Sequence, residues 1–382
     1  MRIYLDHNAT TPVRDEVVEA MARALRDRFG NPSSAHAEGS AARAALEEAR
    51  ARIAALLGAA PDEILLTGGA TEANNTALLG VLRARADVGR HVVTSAIEHP
   101  SVEAPLGRLE RDGWRVTRVG VDADGRVDVD AVAAAIEPET ALVSVIWANN
   151  ETGVVQPVER IAAHAKERGV LVHSDATQAV GKLPIDLGRV PADLLSLSAH
   201  KFNGPKGVGC LVVRGGLAFE PLLHGGPQEQ RRRGGTENVA GTIGLGVACG
   251  LAQRELPDRI DHAARLRDQL WEGIRAKIPR VRRNGSARHV LPNTLNVEFE
   301  GAAGEVLMQA LDLEGIAVSA GAACASGSIE ASPVLIAMGR TPQAARGALR
   351  FSVGWGVDAA QIERTLLVLP DLVERARRAV SA

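Results

Sequence analysis

Val170-Leu171-Val172-His173-Ser174-Asp175-Ala176-Thr177-Gln178, and then Leu194-Leu195-Ser196-Leu197-Ser198-Ala199-His200-Lys201, set the pattern of the chain: a short apolar run followed at once by a polar cluster. Runs of this kind suit strands buried on both faces. Working outward, the pattern repeats at Ile64-Leu65-Leu66, His91-Val92-Val93 and Leu142-Val143-Ser144-Val145-Ile146, with amphipathic helical stretches between. Strands alternating with helices imply right-handed crossovers and a mostly parallel sheet flanked by helices, an α/β fold. Upstream, Thr11-Pro12 before Val17, Val18, Met21, Ala24 and Leu25 predicts a first helix with an N-cap and an opening proline, ending at Gly30. An Ala/Arg/Glu helix then stops at Gly58.

The texture changes further on. A polar-faced helical stretch, about Leu256 to Lys277, reads as a connection into a smaller α+β region. That region holds Thr294-Leu295-Asn296-Val297-Glu298-Phe299, a small-residue segment around Cys324, Leu349-Arg350-Phe351-Ser352-Val353 and a closing helix. The expected division is a large domain at 16–254 and a small domain formed by 1–15 with 255–382.

Composition narrows the function. With 382 residues, 46% of them hydrophobic, the chain can bury a large core. Its 44 Lys and Arg against 46 Asp and Glu leave a net charge of −2, so it offers no broad basic field to a nucleic acid or an anionic membrane. Aromatics at 3% argue against base-stacking platforms. Val239 to Ala252, the longest uncharged small and apolar stretch, is too short and too broken by Gly and Thr to span a bilayer, and Met1 to His7 lacks a signal core. A cytoplasmic protein is expected. Cys210, Cys249 and Cys324 are too few and too far apart for a disulfide framework or a zinc site, so no metal is expected. Lysine occurs only at Lys166, Lys182, Lys201, Lys206 and Lys277, which confines any lysine chemistry to those positions.

In such a sheet the clusters after the strands meet in one crevice beyond the strands' carboxyl ends. Thr67-Gly68-Gly69-Ala70-Thr71-Glu72 is either a phosphate cradle at a helix start or a plain turn with a Thr cap. Asp175 is an ordinary cap unless a protonated heterocyclic nitrogen lies opposite, whose proton it would hold. Lys201 directly follows a buried strand, flanked by Ser198 and His200 as hydrogen-bonding partners. Lys166 and Lys277 fit polar helix faces, Lys182 an exposed loop, and Lys206 a turn. His99, in Glu98-His99-Pro100, is a structural or solvated histidine or, in a chain so poor in aromatics, a group to stack on a planar cofactor and move a proton. Asn149-Asn150-Glu151 is a polar turn or a source of amide contacts. Arg350, inside an apolar run, wants a carboxylate, internal or from a substrate. Cys324 reads equally as a reagent on a mobile loop or as a small residue in a turn, while Cys210 and Cys249 read as inert core. Arg231-Arg232-Arg233-Gly234-Gly235-Thr236 offers an RNA patch, but three arginines before two glycines more often make a solvated loop, or one ordered by an anion at a subunit contact.

As an ordered set, Leu5-Asp6-His7-Asn8-Ala9-Thr10-Thr11-Pro12, Gly30-Asn31-Pro32-Ser33-Ser34, Gly69-Ala70-Thr71-Glu72, Glu98-His99, Asn149-Asn150-Glu151, Asp175-Ala176-Thr177-Gln178, Ser198-Ala199-His200-Lys201, Gly204-Pro205-Lys206-Gly207 and Arg350-Phe351-Ser352 resemble the pyridoxal-phosphate-dependent cysteine desulfurases of the NifS/IscS type, nearly end to end. The resemblance implies a fold-type-I homodimer that takes L-cysteine to L-alanine with pyridoxal 5′-phosphate. On the matching positions, Lys201 is the Schiff-base lysine, Asp175 the partner of the pyridine nitrogen and His99 the ring-stacking acid and base. Gln178 and Asn150 lie near the phenolic oxygen and the substrate. Ala70, Thr71, Ser198 and His200 hold the phosphate, with Thr236 reaching over from the other subunit. Arg350 clamps the substrate carboxylate, and Cys324 accepts the sulfur as a persulfide for an acceptor protein.

Similar enzymes serve iron–sulfur assembly, tRNA thiolation and DNA phosphorothioation, and no direct contact with nucleic acid or membrane is implied. A selenocysteine lyase or another aminotransferase-like enzyme on the same scaffold is the alternative. The chain departs from many relatives at Ala199, where they have Gly, and at Ala323 and Ala325, where they have hydroxyl residues.

Overall fold

The computed structural model describes residues 2–320 and 331–381. Short strand β1 (Ile3–Tyr4) opens the chain. It is followed by β2 (Ile64–Thr67), β3 (His91–Ser95), β4 (Arg115–Val119), β5 (Thr140–Ser144), β6 (Leu171–Asp175), β7 (Leu194–Ser198) and β8 (Gly209–Val213). These last seven form one sheet in the order β2-β8-β7-β6-β5-β3-β4. Every pairing is parallel except the two made by β8, which runs against both β2 and β7.

The expected doubly covered, mostly parallel sheet is therefore present, with two strands the apolar runs did not disclose. β4 reads Arg-Val-Thr-Arg-Val and lies at the sheet's edge, where half its side chains meet water. β8 belongs to an apolar run, but nothing in its residues announces a reversed direction. β5 ends at Ser144 rather than Ile146.

Both faces are buried, as the runs require. Leu195, Leu197, Cys210 and Val212 point into one core with Ile53, Leu57 and Leu245. Their neighbours Leu194, Leu211 and Val213 point into another with Leu78, Val92 and Leu106. This is the two-residue alternation of a pleated strand read on two apolar sides.

The first helix is Asp15–Asp27, with Arg14 rather than Thr11 at its cap. Thr11 is engaged elsewhere, as described below. The second, Ala37–Leu57, ends as expected at Gly58, whose φ of 66° suits glycine. The connecting helix starts well before Leu256: it runs from Val239 to Lys277 without a break. Its Leu245, Cys249 and Ala252 belong to the first core, whereas Leu266, Leu270 and Ile274 belong to a separate core with Leu295, Leu307 and Phe351.

That second core covers an antiparallel sheet in the order β12-β13-β10-β9, made of β9 (Val281–Asn284), β10 (Thr294–Phe299), β12 (Ser319–Ala320) and β13 (Ala348–Ser352). β1 and β11 (Ile316–Ala317) pair in parallel as a separate two-stranded sheet, and their Ile3 and Ile316 enter the same core.

The arginine loop is less solvated than its composition suggests. Arg231 is exposed, but Arg233 pairs with Glu72 at 2.8 Å, and Glu229 just upstream is buried. Glu229 accepts both guanidinium ends of buried Arg50, at 2.8 and 3.0 Å, and the Leu66 amide at 3.0 Å. Glu229, Gln230 and Arg231 carry φ values of 46°, 58° and 65°, a conformation costly for side chains with a Cβ. The buried pair holds the turn in that shape. Glu229→Ala leaves buried Arg50 with only the Ile64 carbonyl and the exposed Glu47 as partners and is expected to cost about 3 kcal/mol. Urea denaturation checks it, and an unchanged midpoint would contradict the account.

Candidate active site

The residues singled out after the strands meet in one cleft of about 880 Å³ at the carboxyl ends of the parallel strands. Its lining includes Ala70, Thr71, His99, Asn150, Asp175, Gln178, Ser198, His200, Lys201 and Arg350. Thr236 is exposed and is not part of this lining. Cys324 lies outside the described residues.

Lys201 ends a short turn after β7. That turn is clamped by the N-terminal segment: the Thr11 amide and hydroxyl both donate to His200 O at 2.9 Å, and the Asn203 amide donates to Thr11 Oγ1 at 2.7 Å. The lysine Nζ donates at 2.8 Å to the carbonyls of both Asn8 and Ala9. Ala199 is fully buried, and its methyl is tolerated because position 204 is glycine; a Cβ there would come within 2.7 Å of the Ala199 Cβ.

Asp175, the last residue of β6, is buried and accepts from Asn74 Nδ2 at 2.8 Å and the Thr177 amide at 3.0 Å. Asn74 also donates to Ser101 Oγ at 2.8 Å, and Ser101 contacts His99 Nδ1 through its hydroxyl at 2.8 Å and its amide at 3.1 Å. With Nδ1 accepting from that amide, a neutral His99 carries its proton on Nε2. Burial lowers the His99 pKa, the Lys201 charge adds to that, and Asp175 opposes it. Asn74 and Ser101 were not legible as site residues, because only the folded chain brings position 74 to position 175.

Of the two alternatives foreseen for Arg350, the structure shows the internal carboxylate. Its Nη2 meets Asp6 at 2.6 Å and its Nη1 donates to Asn150 O at 3.0 Å, while its buried Nε has no partner among the described residues. Asp6 lines the same cleft. β12 enters beside this group, with Ser319 opposite Arg350 in the strand register. Beyond residue 330, Ser332 Oγ donates to the buried Glu151 at 2.5 Å, next to the cleft-lining Asn150.

Of the other lysines, Lys166 and Lys277 are exposed on helices as expected, and Lys206 lies in a turn at the cleft's edge. Lys182 is a correction. It is 9% exposed, not in an exposed loop, because Gln178 and Asn8 offer its amine two acceptors inside. Cys210 and Cys249 are fully buried, with burial pushing both thiols up.

Glu98 gives the site a pH signature. Its Oε1 accepts from the Ile146 amide at 2.9 Å and from Ser95, whereas Oε2 has no partner among the described residues. Burial, with smaller contributions from Asp175 and Glu103, pushes its carboxyl up from 4.5 to about 8 against the opposing Ser95 and Ile146 hydrogen bonds. A raised carboxyl contributes stability that is fully present below its unfolded value and is lost as pH climbs through the folded one. Thermal stability should therefore decline between about pH 5 and 8 by a component that Glu98→Gln removes. Equal slopes for the two proteins would refute this.

The cleft's lining suits the cofactor the resemblance implies. Thr177 Oγ1 is buried without a partner among the described residues, and Thr177 lines the cleft. Gly69 has a φ of 144°, and a Cβ on Gly209 would strike Leu197 O at 2.4 Å and Gly69 Cα at 2.8 Å. Glycine at both positions lets the Gly68–Gly69 turn lie against the sheet, its own amides taken by Glu72 Oε2 at 2.7 Å and Thr67 Oγ1 at 3.4 Å, so that the helix start at Ala70 and Thr71 borders the cleft. A buried carboxylate, a lysine, an imidazole, an orphaned threonine hydroxyl and a helix start in one cleft fit a phosphorylated pyridine aldehyde. No cluster of metal-ligating side chains occurs among the described residues, and no described helix is long and apolar enough to cross a membrane.

Comparison with known proteins agrees. The family model described as aminotransferase class-V matches residues 3–365. A cysteine desulfurase of Cereibacter sphaeroides is 50% identical over 380 residues, 98% of this chain and 97% of its own. A solved NifS-like protein superposes with a TM-score of 0.90 at 36% identity, covering 100% of both chains. A solved structure titled SspA in complex with cysteine gives 0.83 at 38% identity, covering 93% of this chain and 99% of its own. The fold is that of the fold-type-I enzymes that use pyridoxal phosphate. With a family match across nearly its whole length and a half-identical relative over 98% of its residues, the chain belongs to the class-V aminotransferase family and, within it, to the cysteine desulfurases.

Proposed function

We propose that this cysteine desulfurase binds pyridoxal 5′-phosphate through Lys201, takes L-cysteine to L-alanine, and receives the sulfur on Cys324 as a persulfide for an acceptor protein. The observation that carries the reading is the convergence of Lys201, Asp175, His99 and Arg350 on one cleft that β12 enters beside Arg350. When bound, the cofactor supplies an electron sink for bonds at the substrate's α-carbon.

The chain's own residues do the rest. Asp175, held by Asn74 and Thr177, keeps a proton on the ring nitrogen. The amides at Ala70 and Thr71, with Ser198 and His200, hold the phosphate. Arg350 exchanges its single Nη2 contact with Asp6 for the substrate carboxylate, which its guanidinium can grip with two parallel N–H donors. The Lys201 amine takes and returns protons at the α-carbon, and His99 moves a proton from its Nε2 side. Asn150 contacts substrate and cofactor. Thr236, away from its own cleft, would complete the cleft of a second copy in a homodimer.

Purified protein loaded with the cofactor and given L-cysteine with a thiol reductant is expected to release alanine and sulfide in equal amounts. Loaded protein that makes no alanine from L-cysteine, but acts on L-selenocysteine or on a keto-acid acceptor, would replace this reading with the sibling activity.

A further inference from the structure

Lys182 is the one buried lysine of the site to which the mechanism gives no task. Its Nζ donates to Gln178 Oε1 at 2.6 Å and to Asn8 Oδ1 at 3.2 Å. Gln178 in turn donates from Nε2 to Asn8 O at 2.9 Å, the same carbonyl that accepts Lys201 Nζ. Among the described residues the Gln178 amide nitrogen has that single acceptor, which leaves its second N–H for the cleft that Gln178 lines.

We propose that Lys182 is a positioning residue: by donating to Gln178 Oε1 it locks that amide with the nitrogen toward Asn8 and the cleft, and so fixes a donor, not an acceptor, beside the cofactor's phenolic oxygen. The inference rests on the cofactor reading above. The physical reason is the mismatch of donors. A lysine amine facing Gln178 is met by a carbonyl oxygen in this orientation. If the amide flipped, its carbonyl would face Asn8 O, acceptor to acceptor, and the Lys182 amine would lose its shorter acceptor, with donor facing donor whenever the amine is protonated. Burial holds the Lys182 amine well below the ordinary lysine value, and the charges of Lys201 and Arg350 act in the same direction. The amine has donors for both acceptors whether or not it is protonated.

A donor at the phenolic oxygen favours the form of the cofactor–lysine adduct that has lost its shared proton. The experiment is a pH titration of the visible band of the loaded resting protein, without substrate. Lys182→Met is expected to move the midpoint up by about one unit, a tenfold change in proton affinity. Gln178→Ala should move it the same way, and adding Lys182→Met to Gln178→Ala should move it no further.

Lys182→Arg, which keeps the donors and borders a second cavity of about 660 Å³, should titrate as wild type. A wild-type midpoint in Lys182→Met, or additive shifts in the double variant, overturns the proposal. Should Lys182→Met not fold, a Lys182→Arg protein that titrates like Gln178→Ala overturns it as well. Wild-type protein that takes up no cofactor at all defeats the reading beneath it instead.

Discussion

Lys201→Ala is expected to leave a folded protein whose alanine formation from L-cysteine falls by at least about 10³-fold. A positioned proton-transfer group alone supplies roughly 10²–10⁴, and here the same amine also carries the covalent bond to the cofactor. The fold should survive, because the loop is held by its backbone: Thr11 bonds to His200 O and to the Asn203 amide, not to the lysine side chain. No neighbouring lysine can take over. Lys206 sits in an exposed turn at the rim, and Lys182 is pinned behind Gln178 by two acceptors. Thermal melting and the visible spectrum, read beside the assay, separate loss of chemistry from loss of structure. A Lys201→Ala protein that turns over at the wild-type rate would end the lysine assignment.

Cys324→Ser is expected to keep the cofactor band and lose sulfur transfer by a comparable factor, since deleting a nucleophile costs up to about 10⁶ in rate. A serine hydroxyl cannot store sulfur as a persulfide and is a poor nucleophile without a base. The other cysteines offer no substitute. Cys210 and Cys249 are fully buried in the first core, and burial pushes their thiols away from the reactive thiolate. Mass spectrometry after one turnover should find the added sulfur on the Cys324 peptide of wild type and on no peptide of the variant. Continued alanine release by the serine protein would move the sulfur's first acceptor elsewhere.

The sequence disclosed most readily what is local. A buried strand and the polar cluster after it are contiguous, so β2, β3, β6 and β7 with Gly69, His99, Asp175 and Lys201 could be read together from short windows. What depends on distant partners was hidden. Lys182 looks like a loop lysine until Asn8 arrives to accept from it, and Arg350 could not choose its carboxylate until Asp6 was seated beside it. The reversed direction of β8 is a property of pairing, not of composition. Thr11 carries the signature of a helix cap, yet its hydroxyl serves the lysine loop, a tertiary demand that overrides local preference.

The N-terminal segment has a further consequence, for biosynthesis. Its Asn8 amide bonds to Ser352 Oγ, 344 residues away, and the carbonyls of Asn8 and Ala9 receive Lys201. On a ribosome this stretch emerges ahead of nearly everything it touches, and it waits unpaired while the large sheet forms. Closing so long a loop adds little to its equilibrium cost, but contacts this distant in sequence form late. The nascent enzyme thus acquires its scaffold first and its finished lysine pocket only when β13 has been made, so cofactor capture becomes a report that the second sheet has been completed.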